Sequence, residues 1–196
     1  MIRKGYAQVE PNHLSAQYTG QIYAQLPAQT VSGSTKTPIA QLENGQFLKY
    51  NYKDGCASVT GAGEWMLVYN EEKLYDERRQ NHKDFALKAT DMTDGLIYPR
   101  LLKTNVGDIY TTNAFKATSS PYTVSGPDQQ ITMADLQIGD YLDIGADGWL
   151  KKATGSTMPE SGIVFQVVPH FTQIADGTAA YTLPDGQPAV KIQRVQ

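Results

Sequence analysis

The sequence predicts a mainly β protein: antiparallel β-barrel or sandwich units, an extended N-terminal arm, and one short helix or charged excursion. Three observations predict it. Short apolar runs of strand length recur from Ile39 onward. Six Asn-Gly or Asp-Gly dipeptides separate them. No helix-length pattern supplies the crossovers that a parallel sheet needs. The composition agrees, with 12 Tyr, 17 Gly and 10 Pro in 196 residues. Aromatic residues suit a pleated surface, and Gly and Pro suit turns.

The runs are GQFLKYNY (45–52), EWMLVY (64–69), GDIYTT (107–112), GDYLDI (139–144), WLKKA (149–153), GIVFQVV (162–168) and AVKIQRV (189–195). Each is enriched in β-branched or aromatic residues. The turn dipeptides are Asn44-Gly45, Asp54-Gly55, Asp94-Gly95, Asp147-Gly148, Asp176-Gly177 and Asp185-Gly186. Both residue types tolerate positive φ, which matches the twist of paired strands.

One hairpin is written more than once. LENGQFLKYNYKDG (42–55) lines up with LQIGDYLDIGADG (136–148), 94 residues later. GEWMLVYN (63–70) matches GIVFQVVP (162–169), and NVGDIYTTN (105–113) is a fainter third copy. The spacing is too long for a solenoid and suits similar β-units packed together. Alternation places Tyr141 and Asp143 on one face of the strand and Leu142 and Ile144 on the other. Asp147-Gly148 then reverses the chain, and Lys151 and Lys152 close the return strand facing opposite sides.

The first 38 residues differ. They are rich in Gln, Ala, Ser and Thr and poor in large aliphatics, so they bury little on their own. The reading is an extended arm held against something else, with Tyr6, Leu14, Tyr18, Ile22, Tyr23 and Leu26 as its candidate contact residues. Residues 39–130 then form a first β-unit and 131–196 a second, or the two make one composite domain. The stretch NEEKLYDERRQNHKDFALK (70–88) interrupts the first unit with five acids and five bases. Asn70 there is placed to cap a short helix with Glu71 and Glu72 in its first turn. Balanced charge reads as a solvated face.

The composition also narrows function. A net charge of -3 gives no basic field for nucleic acid. No stretch approaches the apolar length of a membrane span, and the first residues lack the apolar core of a secretory signal. The single cysteine, Cys56, allows no internal disulfide and no cysteine-based zinc site. His13, His82 and His170 lie far apart in the sequence without ligand spacing. Asp140, Asp143 and Asp147 lack the rhythm of a calcium loop, and GAGEW (61–65) lacks the Lys and Ser or Thr of a phosphate loop. We therefore expect no catalytic residues, no cofactor and no metal.

IGDYLDIGADGWLKKATG (138–155), with the closing AVKIQRV, resembles the hairpin of bacteriophage capsid decoration or head-associated structural proteins. There, a Gly-Asp-hydrophobic stretch leads through Gly-x-Asp-Gly-x-hydrophobic-x-Lys-Ala-Thr inside a small β-barrel. Gly45 to Gly55 echoes it. The extra length, the arm and the 70–88 stretch depart from the family's single-barrel pattern. The resemblance implies a non-enzymatic protein in many copies on an icosahedral shell. Its partners would be the major capsid or another virion protein and further copies of itself, without nucleic acid or membrane. It would be assembled in the host cytoplasm and reside in the virion. The alternative is a carbohydrate- or receptor-binding β-module of a phage particle, with tyrosines and Trp65 and Trp149 as its platform. An enzyme with a carboxylate pair ranks last, since nothing in the sequence selects the pair.

Overall fold

The computed structural model describes residues 3–4, 9–15, 22–70, 85–115, 122–125, 130–133, 136–169, 180–182 and 188–196. In chain order the strands begin with β1 (Arg3–Lys4), β2 (Val9–Ser15), β3 (Ile22–Tyr23), β4 (Gln29–Ser32), β5 (Thr35–Pro38) and β6 (Gln41–Glu43). Next come β7 (Phe47–Asn51), β8 (Cys56–Ser58), β9 (Trp65–Val68), β10 (Phe85–Lys88), β11 (Leu101–Leu102), β12 (Ile109–Thr112) and β13 (Tyr122–Ser125). The last are β14 (Gln130–Met133), β15 (Tyr141–Ile144), β16 (Leu150–Lys152), β17 (Val164–Val167), β18 (Ala180–Thr182) and β19 (Pro188–Arg194).

The protein is mainly β, with antiparallel pairing between its strands and a sandwich-like stack of open sheets. Among the described residues no sheet closes into a barrel. One sheet has the order β3-β11-β9-β7-β8, and a larger one runs β16-β15-β17-β19-β12-β2 with β18 beside β19. A third is β1-β10-β6, and β4-β5 and β13-β14 are separate hairpins.

The five-stranded sheet is the middle layer, because both of its faces are buried. Phe47 and Leu67 point into a core shared with Tyr110, Leu142, Leu150, Phe165, Val190 and Ile192 of the seven-stranded sheet. Their chain neighbours Leu48, Met66 and Val68 point the other way, into a second core with Leu42, Ala89, Ile97 and Leu101. Period-two alternation explains the unbroken apolar run in 64–69: with both faces covered, both sets of side chains are apolar. Each large side chain removed from water this way stabilises the fold by about 1.5–3 kcal/mol.

The repeated sequence is a repeated turn. Glu43, Asn105 and Gln137 each donate a backbone N–H to the side-chain oxygen of the residue three places on. These acceptors are Gln46, Asp108 and Asp140, at 2.8, 2.7 and 2.8 Å. Gly45, Gly107 and Gly139 sit between them at φ +92°, +96° and +96°, a region that favours glycine at the third position of such a turn. Their N–H groups donate to the carbonyls of Val68, Arg194 and Val167 at 2.9, 2.8 and 2.9 Å. Those residues in turn donate to the carbonyls of Gln46, Asp108 and Asp140 at 2.7, 2.9 and 2.9 Å. Each copy thus launches a strand and registers it against the end of a partner strand.

The strand pairing crosses the boundaries suggested by composition. β2, in the arm, pairs with β12, which pairs with β19 near the C-terminal end. Pairing shifts between Ile109 and Thr111, so Pro11–Leu14 lies between two points of register; Pro11 has no N–H to contribute there. β1 of the arm pairs with β10. Within 70–88, residues 71–84 lie outside the described residues. Phe85–Lys88 is strand, not helix, because it pairs with β6. Asn70 turns its side-chain oxygen to the Arg100 N–H at 2.8 Å. Among the described residues the one helix is a short 3-10 turn at Ala89–Asp91.

The copies meet at Gly148. Its carbonyl accepts the Phe47 N–H at 2.7 Å, and a Cβ placed on it would lie 2.2 Å from the Phe47 carbonyl oxygen. Gly139 has a similar positive φ but nothing within 4 Å. Gly148→Ala is therefore expected to destabilise by about 2–5 kcal/mol, combining left-handed strain with overpacking against backbone. Gly139→Ala is expected to lose only ~1–2 kcal/mol of backbone strain. Urea midpoints of the two variants measure the difference; equal losses would remove the joint from the account.

Candidate interaction surface

Of the six arm residues expected to make contacts, Tyr6 and Tyr18 lie outside the described residues. Leu14 sits in β2 as it shifts register along β12. Ile22, Tyr23 and Leu26 come together at the edge of the five-stranded sheet, where β3 pairs with β11. Ile22 is 54% exposed. Tyr23 and Leu26 are half-buried against the second core, so part of the arm serves the chain's own packing.

Tyr23 begins a row of rings that the sequence did not join together. Its centroid is 5.0 Å from that of Tyr50, which is 5.0 Å from that of Tyr52 in an edge-on arrangement. Tyr52 is 74% exposed. Tyr50 and Tyr52 are two positions apart, and that spacing is the signal that puts them on one face; the meeting with Tyr23 follows from the placement of β3, which no local pattern encodes. The row runs from half-buried Tyr23 through buried Tyr50 to the open ring of Tyr52.

The tryptophans are less available. Trp149 is 7% exposed and packs with Ala114. Trp65 is half-buried, and the Lys49 ammonium lies 4.8 Å from its ring centre. A sugar ring needs an open aromatic face, and neither indole presents one freely.

A polar cluster fixes β19 to the loops beside β9 and β11. The Arg194 guanidinium donates from Nη1 to Glu64 Oε1 at 3.3 Å, to Thr104 Oγ1 at 3.2 Å and to the Thr104 carbonyl. Its Nε donates to the Gln196 carbonyl at 3.0 Å. Lys103 Nζ meets the other Glu64 oxygen at 3.0 Å. Asp108, just ahead of β12, and Tyr110 within it lie near Arg194. The Tyr110 hydroxyl and Asp108 Oδ1 are buried without a hydrogen-bond partner among the described residues. Burial pushes the Tyr110 phenol well above its usual value; Arg194 opposes this and Asp108 adds to it. Tyr110 is fully buried, with its ring 5.8 Å from Phe165. This cluster locks a strand in place, with Arg194 largely buried and the Glu64 and Lys103 side chains about a third exposed.

The remaining candidates have structural partners. Asp140 pairs with Lys152 at 2.7 Å and Asp143 with Lys151 at 3.7 Å, while Asp147 accepts the Trp149 N–H at 3.3 Å. Burial raises the Cys56 pKa; Lys36 lowers it and Asp54 raises it further. A buried thiol with a raised pKa is a poor nucleophile. His82 and His170 lie outside the described residues, and His13 is placed only as backbone in β2. Among the described residues no three His, Cys, Asp or Glu side chains converge as metal ligands, and no helix is long and apolar enough to cross a membrane. Neither a family model, nor a curated protein, nor a solved structure matches the chain.

The orphaned hydroxyl makes Tyr110→Phe informative. The substitution is expected to leave stability unchanged at neutral pH or to raise it by about 1 kcal/mol, since an unpaired buried polar group is costly. In the parent, the raised folded-state pKa leaves Tyr110 neutral where an unfolded tyrosine ionises. Stability is therefore kept below about pH 10 and falls as pH rises through the folded-state value. Tyr110→Phe should flatten that alkaline fall, read as urea midpoints across pH. An equally steep fall in the variant would show that Tyr110 is not its source.

Proposed function

We propose that this protein is a structural component of a bacteriophage virion, decorating or cementing a capsid through many copies of protein–protein contact. One observation carries the reading. The N-terminal segment pairs through its main chain at sheet edges, β1 on β10 and β2 on β12. Strand addition of this kind depends little on side-chain identity, so the same segment suits the edge of a neighbouring subunit. A polar arm that orders on contact gives reach at an entropy cost, and repetition over a shell converts weak contacts into firm attachment.

Two further features support the reading. The capsid-decoration resemblance lies in the Ile138–Gly155 hairpin, whose side chains are engaged in turn and cross-strand pairs. Ile22 and Tyr52 are exposed side chains of the apolar and aromatic type enriched at interfaces. The partners are the major capsid or another virion protein and further copies of this chain. The location is the virion, after assembly in the host cytoplasm.

Residues 1–15 are the segment to remove. A cut at residue 30 would also take Ala28, which is fully buried, and the half-buried Tyr23 and Leu26. The chain lacking 1–15 is expected to keep its β circular-dichroism signature and to lose co-sedimentation with particles. Normal co-sedimentation of the folded, truncated chain would refute the latch.

A further inference from the structure

We propose that Asn44 is a folding-gated deamidation site and a one-way switch on the joint between the β6–β7 turn, Asn70 and Arg100. The inference is independent of the virion reading. Asn44-Gly45 is the only Asn-Gly dipeptide in the chain. The absence of a side chain on glycine leaves its amide nitrogen open to attack the preceding asparagine. In that reaction the Gly45 nitrogen bonds to Asn44 Cγ, the bond from Cγ to Nδ2 breaks, and the amide leaves as ammonia. Water then opens the cyclic imide to aspartate or isoaspartate.

The fold restrains both reacting groups. The Gly45 N–H is donated to the Val68 carbonyl at 2.9 Å. The Asn44 amide is held twice by one residue: Oδ1 accepts the Asn70 N–H at 2.7 Å, and Nδ2 donates to the Asn70 carbonyl at 3.2 Å. Asn44 is only 4% exposed. Asn70 in turn accepts the Arg100 N–H on its side chain, so the same joint ties three segments. Attack requires the Gly45 N–H to leave Val68 and the Asn44 side chain to leave Asn70, which means opening the joint.

The product does not reclose. Aspartate places an oxygen where Nδ2 stood, facing the Asn70 carbonyl, acceptor against acceptor. It also adds a buried carboxylate beside Glu43, itself buried. Isoaspartate lengthens the backbone between residues 44 and 45 and carries the Gly45 N–H out of register with Val68.

The test incubates the full-length chain at mildly alkaline pH, folded or unfolded in urea. Peptide mapping by mass spectrometry follows aspartate and isoaspartate at position 44. Reaction only from the open form makes the folded chain at least ~tenfold slower; equal rates overturn the gating. Asn44→Asp supplies one product directly. It is expected to speed amide hydrogen exchange at the Asn70 N–H; unchanged exchange there overturns the switch. The folded-against-unfolded comparison needs no variant, and it still decides the gating if Asn44→Asp does not fold.

Discussion

The hydrogen bond from the Phe47 N–H to the Gly148 carbonyl joins the start of one repeat to the turn of another. It exists because position 148 has no side chain: any Cβ would overlap the Phe47 backbone. Asp147-Gly148 therefore does two jobs. It reverses the chain between β15 and β16 and leaves a flat surface on which β7 begins. That contact brings Phe47 within 5.5 Å of the Phe165 ring, and Phe165 also meets Tyr110 edge-on. Three rings from three parts of the chain then form the centre of a core that neither repeat could close alone. A short hairpin unit has too little apolar surface to offset its own ordering entropy, so fusing the copies makes the units stable as well as adjacent.

The repeated turn solves a local problem with the same chemistry three times. A strand that starts beside another strand's end leaves backbone groups to satisfy on both. Here the glycine N–H takes the partner's carbonyl, and the next residue's carbonyl takes the partner's N–H. The side chain of Gln46, Asp108 or Asp140 folds back on the turn's first N–H. Glutamine replaces aspartate in the first copy without loss of the bond, because only an acceptor oxygen of suitable reach is required. The third copy is repurposed at its far end. Arg194 supplies the partner strand's backbone and also the guanidinium that gathers Glu64 and Thr104. The bare oxygens of Asp108 and Tyr110 lie beside that cluster.

Features encoded by short-range chemistry were legible in the sequence, and those encoded by distant pairing were not. Gly45, Gly107 and Gly139 could be read as equivalent because a positive-φ turn demands glycine and an acceptor next to it. Strand identity followed from alternation, as in Leu142 and Ile144 against Tyr141 and Asp143. The pairing of Val9–Ser15 with β12 left no such mark, since edge pairing uses backbone that every residue possesses. Asparagine suits a helix cap and a bridge between strands equally, and the bridge from Asn70 to Asn44 and Arg100 depends on positions that no local pattern encodes. Tyr50 and Tyr52 stand two residues apart, a spacing that puts them on one face. Their meeting with Tyr23 depends on where β3 lands in the sheet.

The arm also has a consequence for assembly. Tyr110, Thr111 and Thr112 are fully buried, although their strand, β12, lies next to last in its sheet. Buried backbone without a pairing partner costs free energy at each group, so a strand on the open side of β12 adds stability. The N-terminal segment supplies that strand with few fixed points, anchoring at Ser15 and again at Glu10 and Val9 around Pro11. An edge filled by a strand through backbone pairing makes contacts that a strand from an identical chain could also make. The same backbone contacts count within one subunit or between two.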